Sequence, residues 1–325
     1  MTFESQRTPN AEGIHRAAAK LAEFLPETPL LEARIGNATV WCKAECLQPI
    51  GAFKIRGAWH RLSDLSEAER ARGVVGVSSG NHAQGVAWAA RRLGITAAIV
   101  MPVDAPAVKL ANTRALGAEV VLYDRPGGED RDAVAAKLCA ERGATLVHAF
   151  ADPWVIEGQG TAGLETARQM AARGLGAPTR VVAPCGGGGL TAGLALALPH
   201  AEIVPVEPEG WDDVRLSLAA GEIVQVSKEA PPTACDALQT PATRPINFAV
   251  LKDRVPFGLM VTPAEVRAAQ RFAFSELRLV VEPGGAAALA AALAGKVKLD
   301  GRTVIMLSGG NTDPASFALV LAGSD

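Results

Sequence analysis

The residue with the clearest potential for covalent chemistry is Lys54, in the segment GAFKIRGA at 51–58. Most lysines are exposed charges, so a lysine alone indicates little. Here Ala52, Phe53 and Ile55 flank it, and apolar neighbours that exclude water lower the pKa of an amine. An amine with a lowered pKa is a competent nucleophile toward a carbonyl group. We therefore expect Lys54 to form a covalent imine, a Schiff base.

A second polar group lies in SSGNHAQG at 78–85, between a predicted strand and a predicted helix. Backbone N–H groups at a helix N-terminus, together with Ser and Asn side chains, suit a substrate carboxylate. The same residues also fit a capped helix that binds nothing, with the histidine as a packing residue. The candidate substrate-binding residues in this segment are Ser78, Ser79, Asn81 and His82.

Four successive glycines stand in PCGGGGLTAG at 184–193, again between a predicted strand and a predicted helix. Without Cβ atoms such a loop can aim several N–H groups at one anion, and the helix dipole adds to the attraction. The loop has neither the Gly-Lys-Ser/Thr of a Walker A motif nor a dinucleotide fingerprint. A small cofactor that carries a phosphate fits it better, although a flexible turn is the alternative.

The segment LSGGN at 307–311 follows the last predicted strand, so Ser308 should project from a strand end. In an open parallel sheet the carboxyl ends of the strands gather at one edge, where ligands bind. A neutral hydroxyl that bonds a pyridine nitrogen leaves that nitrogen unprotonated and weakens the ring as an electron sink.

The elements that position these segments alternate short Val/Ile-rich runs with Ala-rich amphipathic runs from about residue 73 onward. This alternation predicts an α/β fold of repeated βαβ units with largely parallel sheets. Residues 73–150 are expected to form a small four-stranded domain, and 1–72 with 151–325 a large cofactor-binding domain. A proline-rich stretch at about 229–248 is predicted to be irregular.

Composition excludes several classes of function. With 32 Lys+Arg against 34 Asp+Glu, no broad field favours nucleic acid or an anionic membrane. No long apolar run or secretion signal is evident, so we expect a cytoplasmic protein. The 5 cysteines are odd in number and scattered, which argues against a disulfide framework.

Taken in order, FKIRGA, SSGNHAQG, the four-glycine loop and SGGN closely resemble the motifs of fold-type II pyridoxal-phosphate (PLP) enzymes. The similarity is to the threonine/serine dehydratase and serine racemase group and covers nearly the whole chain. It implies a tryptophan synthase β-like fold, with PLP in a cleft between two wound domains. It also implies removal of water from a β-hydroxy-α-amino acid, giving a 2-oxo acid and ammonia. L-threonine, L-serine, 3-hydroxyaspartate and aryl-serines are the candidate substrates, and a homodimer is expected.

The resemblance also implies a role for each motif residue. Lys54 would hold PLP covalently and act as the catalytic base, and Ser79 would face it as a second acid or base. The other implied cofactor contacts are Phe53 beside the ring, Asn81 at the phenolic oxygen, Gly186, Gly187, Gly188, Gly189 and Leu190 around the phosphate, and Ser308 at the ring nitrogen.

The stretch VEPEGWDDVRLSLAAGE at 206–222 resembles the metal loop of the same group. Glu207, Asp213 and the carbonyl of Trp211 would be hard oxygen ligands for Mg²⁺, Mn²⁺ or Ca²⁺. Without the resemblance, acidic residues on a loop are ordinarily just solvated.

Three residues depart from the group's pattern and leave the preferred substrate open. Ala52 replaces a serine, Cys185 replaces a small apolar residue and Ala237 replaces a glycine; all three are expected at the pocket wall. Amino-acid racemisation by Lys54 and Ser79 is the alternative activity, and a catalytically silent binding protein is a further one. A β-replacement enzyme fits the metal loop and FKIRGA less well.

Overall fold

The structure is a computed structural model and describes residues 7–78, 80–105 and 107–323. The strands are β1 (Leu30–Ile35), β2 (Ala38–Lys43), β3 (Val74–Val77), β4 (Ala97–Pro102), β5 (Glu119–Tyr123), β6 (Thr145–Val147), β7 (Arg180–Pro184), β8 (Glu202–Pro208), β9 (Leu259–Val261) and β10 (Thr303–Met306). The helices are α1 (Ala11–Ala22), α2 (Lys54–Ser63), α3 (Glu67–Arg72), α4 (Asn81–Leu93), α5 (Ala107–Ala115), α6 (Arg131–Arg142), α7 (Pro153–Ala172), α8 (Gly189–Ala197), α9 (Asp213–Ala220), α10 (Pro245–Arg254), α11 (Pro263–Leu277), α12 (Pro283–Leu293) and α13 (Pro314–Leu321).

The strands form two sheets. The larger runs β1-β2-β10-β7-β8-β9 and the smaller β5-β4-β3-β6. The β1–β2 pair is antiparallel, whereas the other pairs in both sheets are parallel. Strand β4 is buried along its whole length and β7 from Val181 onward, because helices α4 and α6 pack against β4 and helices α8 and α12 against β7. The predicted α/β fold with two wound parallel sheets is confirmed.

Helices α2 and α7 pack against each other so closely that only glycine fits at the contact. A Cβ on Gly158 would lie 2.5 Å from the Cα of Gly57, and one on Gly57 would lie 2.7 Å from the carbonyl oxygen of Val155. Ile55 and Trp59 of α2 belong to the hydrophobic core around β3, β4 and α4. The start of α2, where Lys54 lies, is therefore held between helix α7 on one side and the core of the smaller sheet on the other.

The N-terminal and proline-rich regions differ most from the expectations. Helix α10 begins at Pro245, inside the stretch predicted to be irregular. Helices α1 to α3 and strands β1 and β2 were not anticipated. The four strands of the smaller sheet all lie within 73–150, while the domain boundaries themselves stay a prediction. Within the described part of the chain, no helix has both the length and the apolar character to cross a membrane.

Candidate active site

A cavity of about 1290 Å³ opens at the carboxyl ends of strands from both sheets. The loops that follow β3, β6, β7 and β10 all contribute to its wall. Carboxyl ends of parallel strands are the usual site of ligand binding in such folds. The described members of the predicted cofactor and substrate set that line the cavity are Phe53, Lys54, Ser78, Asn81, His82, Gly186, Gly187, Gly188, Gly189, Leu190 and Ser308.

Lys54 is the first residue of α2, and its amine lies in this cavity. Its Nζ donates a hydrogen bond to the carbonyl oxygen of Ala149 at 2.8 Å and lies 5.1 Å from the centre of the Phe53 ring. Removal from water lowers the pKa of the Lys54 amine from 10.5 to about 8. An amine with this pKa is partly neutral near physiological pH, as attack on an aldehyde requires.

The glycine loop between β7 and α8 forms another wall. Gly188 precedes α8 with φ 88°, ψ 3°, a left-handed conformation that costs other residues roughly 1–2 kcal/mol. A Cβ on Gly187 would lie 2.4 Å from the ring of Phe150. The loop and the first turn of α8 line the cavity, so bare backbone N–H groups at a helix N-terminus are available to an anion. This arrangement fits a phosphate.

The loop before α4 carries the predicted carboxylate-binding residues. Ser78 Oγ accepts a hydrogen bond from the N–H of Gly80 at 3.1 Å, and Asn81 begins the helix. Ser79 lies outside the described residues. His82 donates from Nε2 to the carbonyl oxygen of Val147 at 2.8 Å. Burial, helped by the nearby charge of Lys54, lowers the pKa of His82 to about 3, so its ring is neutral at physiological pH.

Ser308 lies in the loop after β10 and is 5% exposed. Its carbonyl oxygen accepts from the N–H of Phe53 at 3.0 Å, which ties this loop to the start of α2. Cys185 and Ala237 line the cavity as expected. Ala52 does not: it is fully buried and bridges to Gly309. The expectation that Ala52 touches the pocket wall is wrong, because residue 52 has no exposed surface and is absent from the cavity lining.

The family model for pyridoxal-phosphate dependent enzymes matches residues 22–309. The chain belongs to this family. It is 38% identical over 318 residues to an L-threo-3-hydroxyaspartate ammonia-lyase of Saccharomyces cerevisiae, covering 95% of each chain. It is 37% identical to a serine racemase of Schizosaccharomyces pombe, over 97% of this chain and 98% of the relative. A solved threonine deaminase from T.th. matches with a TM-score of 0.86 at 42% identity, over 94% of this chain and 99% of that one.

These comparisons confirm the resemblance that the ordered motifs predicted, and with it PLP as the cofactor. The cavity fits this group, because it combines a desolvated lysine amine with a glycine-lined helix N-terminus. The described chain thus supplies the two features that a PLP enzyme requires of its protein, an amine for the aldehyde and a cradle for the phosphate. The role of each predicted contact residue stays a prediction.

The predicted metal ligands Glu207 and Asp213 are both fully buried. Glu207 accepts from the N–H groups of Val214 at 3.0 Å and Arg215 at 2.7 Å. Asp213 accepts from the N–H of Thr243 at 2.6 Å through Oδ2, and its Oδ1 is buried without a hydrogen-bond partner. Trp211 donates from its ring to the carbonyl of Pro231. In the described ranges, no three His, Cys, Asp or Glu side chains gather in a metal-binding arrangement.

Several cavity residues received no role from the sequence, among them His148, Phe150, Glu282 and Asn311. His148 and Phe150 lie in the loop that follows β6, which ends at Val147. Glu282 and Asn311 line the cavity and both bond to Asn81. The rule that ligands meet the carboxyl ends of parallel strands could have found the loop after β6. Glu282 stands at the N-cap of α12, and nothing in its local sequence indicates a partner 201 residues away.

Proposed function

We propose that this chain is a PLP-dependent ammonia-lyase that converts a β-hydroxy-α-amino acid to a 2-oxo acid and ammonia. The observation that carries the proposal is the Lys54 amine, desolvated and without an ion pair among the described residues, in the same cavity as the glycine loop. Relatives named as ammonia-lyases at 38% and 40% identity support this reaction class. A phenylserine dehydratase at 36% identity extends the candidate substrates to aryl-serines.

The residues that would hold the cofactor are those of the lysine segment, the glycine loop and the loop after β10. Lys54 would bind its aldehyde, Phe53 would pack beside its ring, Ser308 would face its ring nitrogen, and residues 186–190 would bind its phosphate. When bound, PLP supplies an electron sink that acidifies the substrate Cα–H bond. A neutral hydroxyl such as that of Ser308 would leave the ring nitrogen unprotonated and so weaken this electron sink.

The chain's own groups then bind the substrate and move one proton. The main-chain N–H groups at the start of α4, including that of Asn81, would bind the substrate carboxylate together with Ser78 and Ser79. Lys54 Nζ would take the Cα proton, and the β-hydroxyl would take up a proton and leave as water. A second water would then convert the released enamine to the 2-oxo acid and ammonia, so that no net proton is consumed. His82 donates to Val147 through Nε2, and this bond would hold its neutral ring in place at the wall of the substrate site.

The test is ammonia release from threonine, serine, 3-hydroxyaspartate and phenylserine by purified protein loaded with PLP. Wild type should release ammonia from at least one of them and show the visible absorbance of a lysine-bound cofactor. Lys54→Ala should lose both, whereas Lys137→Ala, a control at a 78% exposed lysine side chain on α6, should keep both. A yellow wild-type protein that releases no ammonia from the whole panel would instead favour a silent binding protein.

Racemisation is the second candidate, favoured by the serine racemase of Schizosaccharomyces pombe at 37% identity. It would require Ser79 to exchange a proton on the substrate face opposite Lys54. Chiral analysis of serine alongside the keto-acid assay separates the two activities. Interconversion of enantiomers faster than keto-acid formation would assign the chain as a racemase, and Ser79→Ala should then abolish interconversion while sparing elimination.

We further propose that a divalent cation, Mg²⁺, Mn²⁺ or Ca²⁺, binds Glu207, Asp213 and the carbonyl of Trp211. The free Oδ1 of Asp213 fits a ligand role, and burial raises the pKa of Asp213 to about 7, as expected for a carboxylate that lacks its counter-ion. Chelation should lower the melting temperature of wild type, and Mg²⁺, Mn²⁺ or Ca²⁺ should restore it. Asp213→Asn should respond to neither treatment. A wild type that is insensitive to chelator would refute the site.

A homodimer is our proposal for the assembly, because twofold homodimers are the commonest form of soluble oligomer. Leu319 on α13 is 60% exposed and Phe274 on α11 is 44% exposed, and these helices contact each other. A second copy would cover this apolar face. Sedimentation should give twice the chain mass for wild type and the chain mass for Leu319→Glu; a monomeric wild type contradicts the proposal.

A further inference from the structure

Asn81 is held by hydrogen bonds on both ends of its side-chain amide. Its Oδ1 accepts from Nδ2 of Asn311 at 2.8 Å, and its Nδ2 donates to Oε1 of Glu282 at 2.6 Å. Asn81 begins α4 beside the smaller sheet. Glu282 directly precedes α12, and Asn311 lies in the loop after β10 of the larger sheet. The three side chains therefore form a continuous hydrogen-bonded link across the cavity, which we call the amide link.

A main-chain carbonyl group decides which atom of each amide in the link is the oxygen and which is the nitrogen. The oxygen and nitrogen of a carboxamide have nearly the same shape, so only their partners decide which is which. Nδ2 of Asn311 lies 2.8 Å from the carbonyl oxygen of Ile50, which can only accept. That atom of Asn311 is therefore the nitrogen, and its second hydrogen points to Asn81. The atom of Asn81 that meets it must be the oxygen.

The position of Asn311 is itself constrained by the turn before Lys54. Gly51 has φ 71°, and a Cβ there would lie 2.4 Å from Oδ1 of Asn311. The N–H of Gly310 donates to the carbonyl of Gly51 at 2.8 Å. Asn311 thus lies directly over the turn that leads into the catalytic lysine, with little room for its side chain to rotate.

Since Oδ1 of Asn81 is occupied by Asn311, the group that Asn81 can offer to the cavity is the second N–H of Nδ2. An N–H attracts the phenolic oxygen of bound PLP, whereas a carbonyl oxygen in the same place would repel it. We infer that Asn311 and Glu282 are positioning residues that hold the Asn81 amide with its nitrogen toward the cofactor. This inference rests on the proposed function, because it requires that PLP occupy the cavity.

The experiment compares PLP-loaded variants by absorbance spectrum and cofactor affinity. Asn311→Ala removes the donor that fixes Asn81 and should weaken PLP binding about fivefold, the worth of one hydrogen bond. It should also move absorbance from the visible band toward the near-ultraviolet band of the neutral phenol. Glu282→Ala should act in the same direction, and Glu282→Gln, which keeps an acceptor oxygen for Asn81, should restore most of the affinity and the visible band.

A double variant separates this role from a general loss of structure. In an Asn81→Ala background, Asn311→Ala should change neither spectrum nor affinity further, since its target is gone. Asn37→Ala, at an exposed asparagine in the turn between β1 and β2 and outside the cavity lining, serves as the control and should match wild type. If Asn311→Ala does not fold, the comparison of Glu282→Ala with Glu282→Gln decides the question.

Failure of the inference is distinguishable from failure of the proposed function. A wild type that binds PLP and releases ammonia, with single variants that keep its spectrum and affinity, overturns the positioning role alone. Equal effects of Asn311→Ala with and without Asn81 overturn it as well, because they show action through the fold. A wild type that does not bind PLP overturns the proposed function.

Discussion

Arg56 and Lys54 lie two residues apart at the start of α2, yet one is fully paired and the other is not. Arg56 donates to both carboxylate oxygens of Glu45 at 2.7 Å and to Glu165 at 2.9 Å. Lys43 also forms an ion pair with Glu165. These four residues, Lys43, Glu45, Arg56 and Glu165, carry two positive and two negative charges, and we call them the paired cluster.

The cavity groups have no such compensation. Lys54 bonds a main-chain carbonyl, and Glu282 bonds the neutral amide of Asn81. Burial lowers the pKa of Lys54 to about 8 and raises that of Glu282 to about 7. For Glu45, burial also acts to raise the pKa, but Arg56, Lys43 and Thr28 together outweigh it and the pKa lies below its usual value. Paired charges stabilise the fold, while groups kept near neutrality are available to a ligand.

Lys54→Met should produce the largest effect of these variants, and it should lower the activity without lowering the stability. Without the amine, turnover should fall by more than about a thousandfold. The stability of the cofactor-free protein should stay the same or rise, because the variant replaces a desolvated amine by an apolar chain of similar length. Ammonia release and urea unfolding measure the two quantities. A large loss of stability would show that Lys54 belongs with the paired cluster.

Arg56→Met should have the opposite profile to Lys54→Met in the unfolding experiment. It leaves the buried carboxylate of Glu45 unpaired, which costs about 3–5 kcal/mol of unfolding free energy. The midpoint of urea unfolding should therefore fall steeply in the cofactor-free protein. Equal stability of the two methionine variants would contradict the distinction between the paired cluster and the cavity.

The same distinction explains what the sequence could predict. The segments around Lys54 and residues 184–193 were recognisable because each motif is local, and the strands from β3 to β8 because their apolar runs are short and regular. Glu282 could not be predicted from the sequence, because its role depends on a contact with Asn81, which is far away in the chain. The start of helix α10 could not be predicted either, because its N-cap, Arg244, makes no side-chain capping bond and Pro245 follows a proline-rich stretch.

Glu282 and Glu45 should give opposite dependences of stability on pH. Because the folded pKa of Glu282 is raised from 4.5 to about 7, the folded chain binds more protons than the unfolded chain between these values. Its contribution to stability should thus decrease as pH rises from about 4.5 to 7, by an amount on the order of 3 kcal/mol. Glu45, with a lowered pKa, contributes stability above its unfolded pKa that is lost as pH falls.

Urea unfolding of cofactor-free wild type and Glu282→Gln across this range measures the effect. The glutamine variant cannot ionise at this position, so its stability should decrease less than that of wild type between pH 4.5 and 7 and should exceed it at pH 7. Asp213, whose pKa burial also raises to about 7, contributes equally in both proteins and cancels in the comparison. An unchanged pH profile in Glu282→Gln would show that another group causes the decrease, and would place Glu282 among ordinary solvated acids.

The smallest expected effect distinguishes a glycine that serves the ligand from one that serves only the fold. Gly188 and Gly221 have similar backbone conformations, with φ values of 88° and 74°, so alanine at either should cost roughly 1–2 kcal/mol of stability. Their surroundings differ: a Cβ at 188 would lie 2.9 Å from Leu251, whereas one at 221 would meet open space.

Gly188→Ala should therefore also displace the loop that lines the cavity, and weaken PLP binding by about tenfold, equivalent to about 1.4 kcal/mol. Gly221→Ala, at the end of α9, should lose a similar amount of stability and keep wild-type affinity. Fluorescence titration of the cofactor-free variants with PLP, alongside urea unfolding, measures both properties. If the two variants lose affinity equally, the glycine loop acts through overall stability, and the case for it as the phosphate cradle fails.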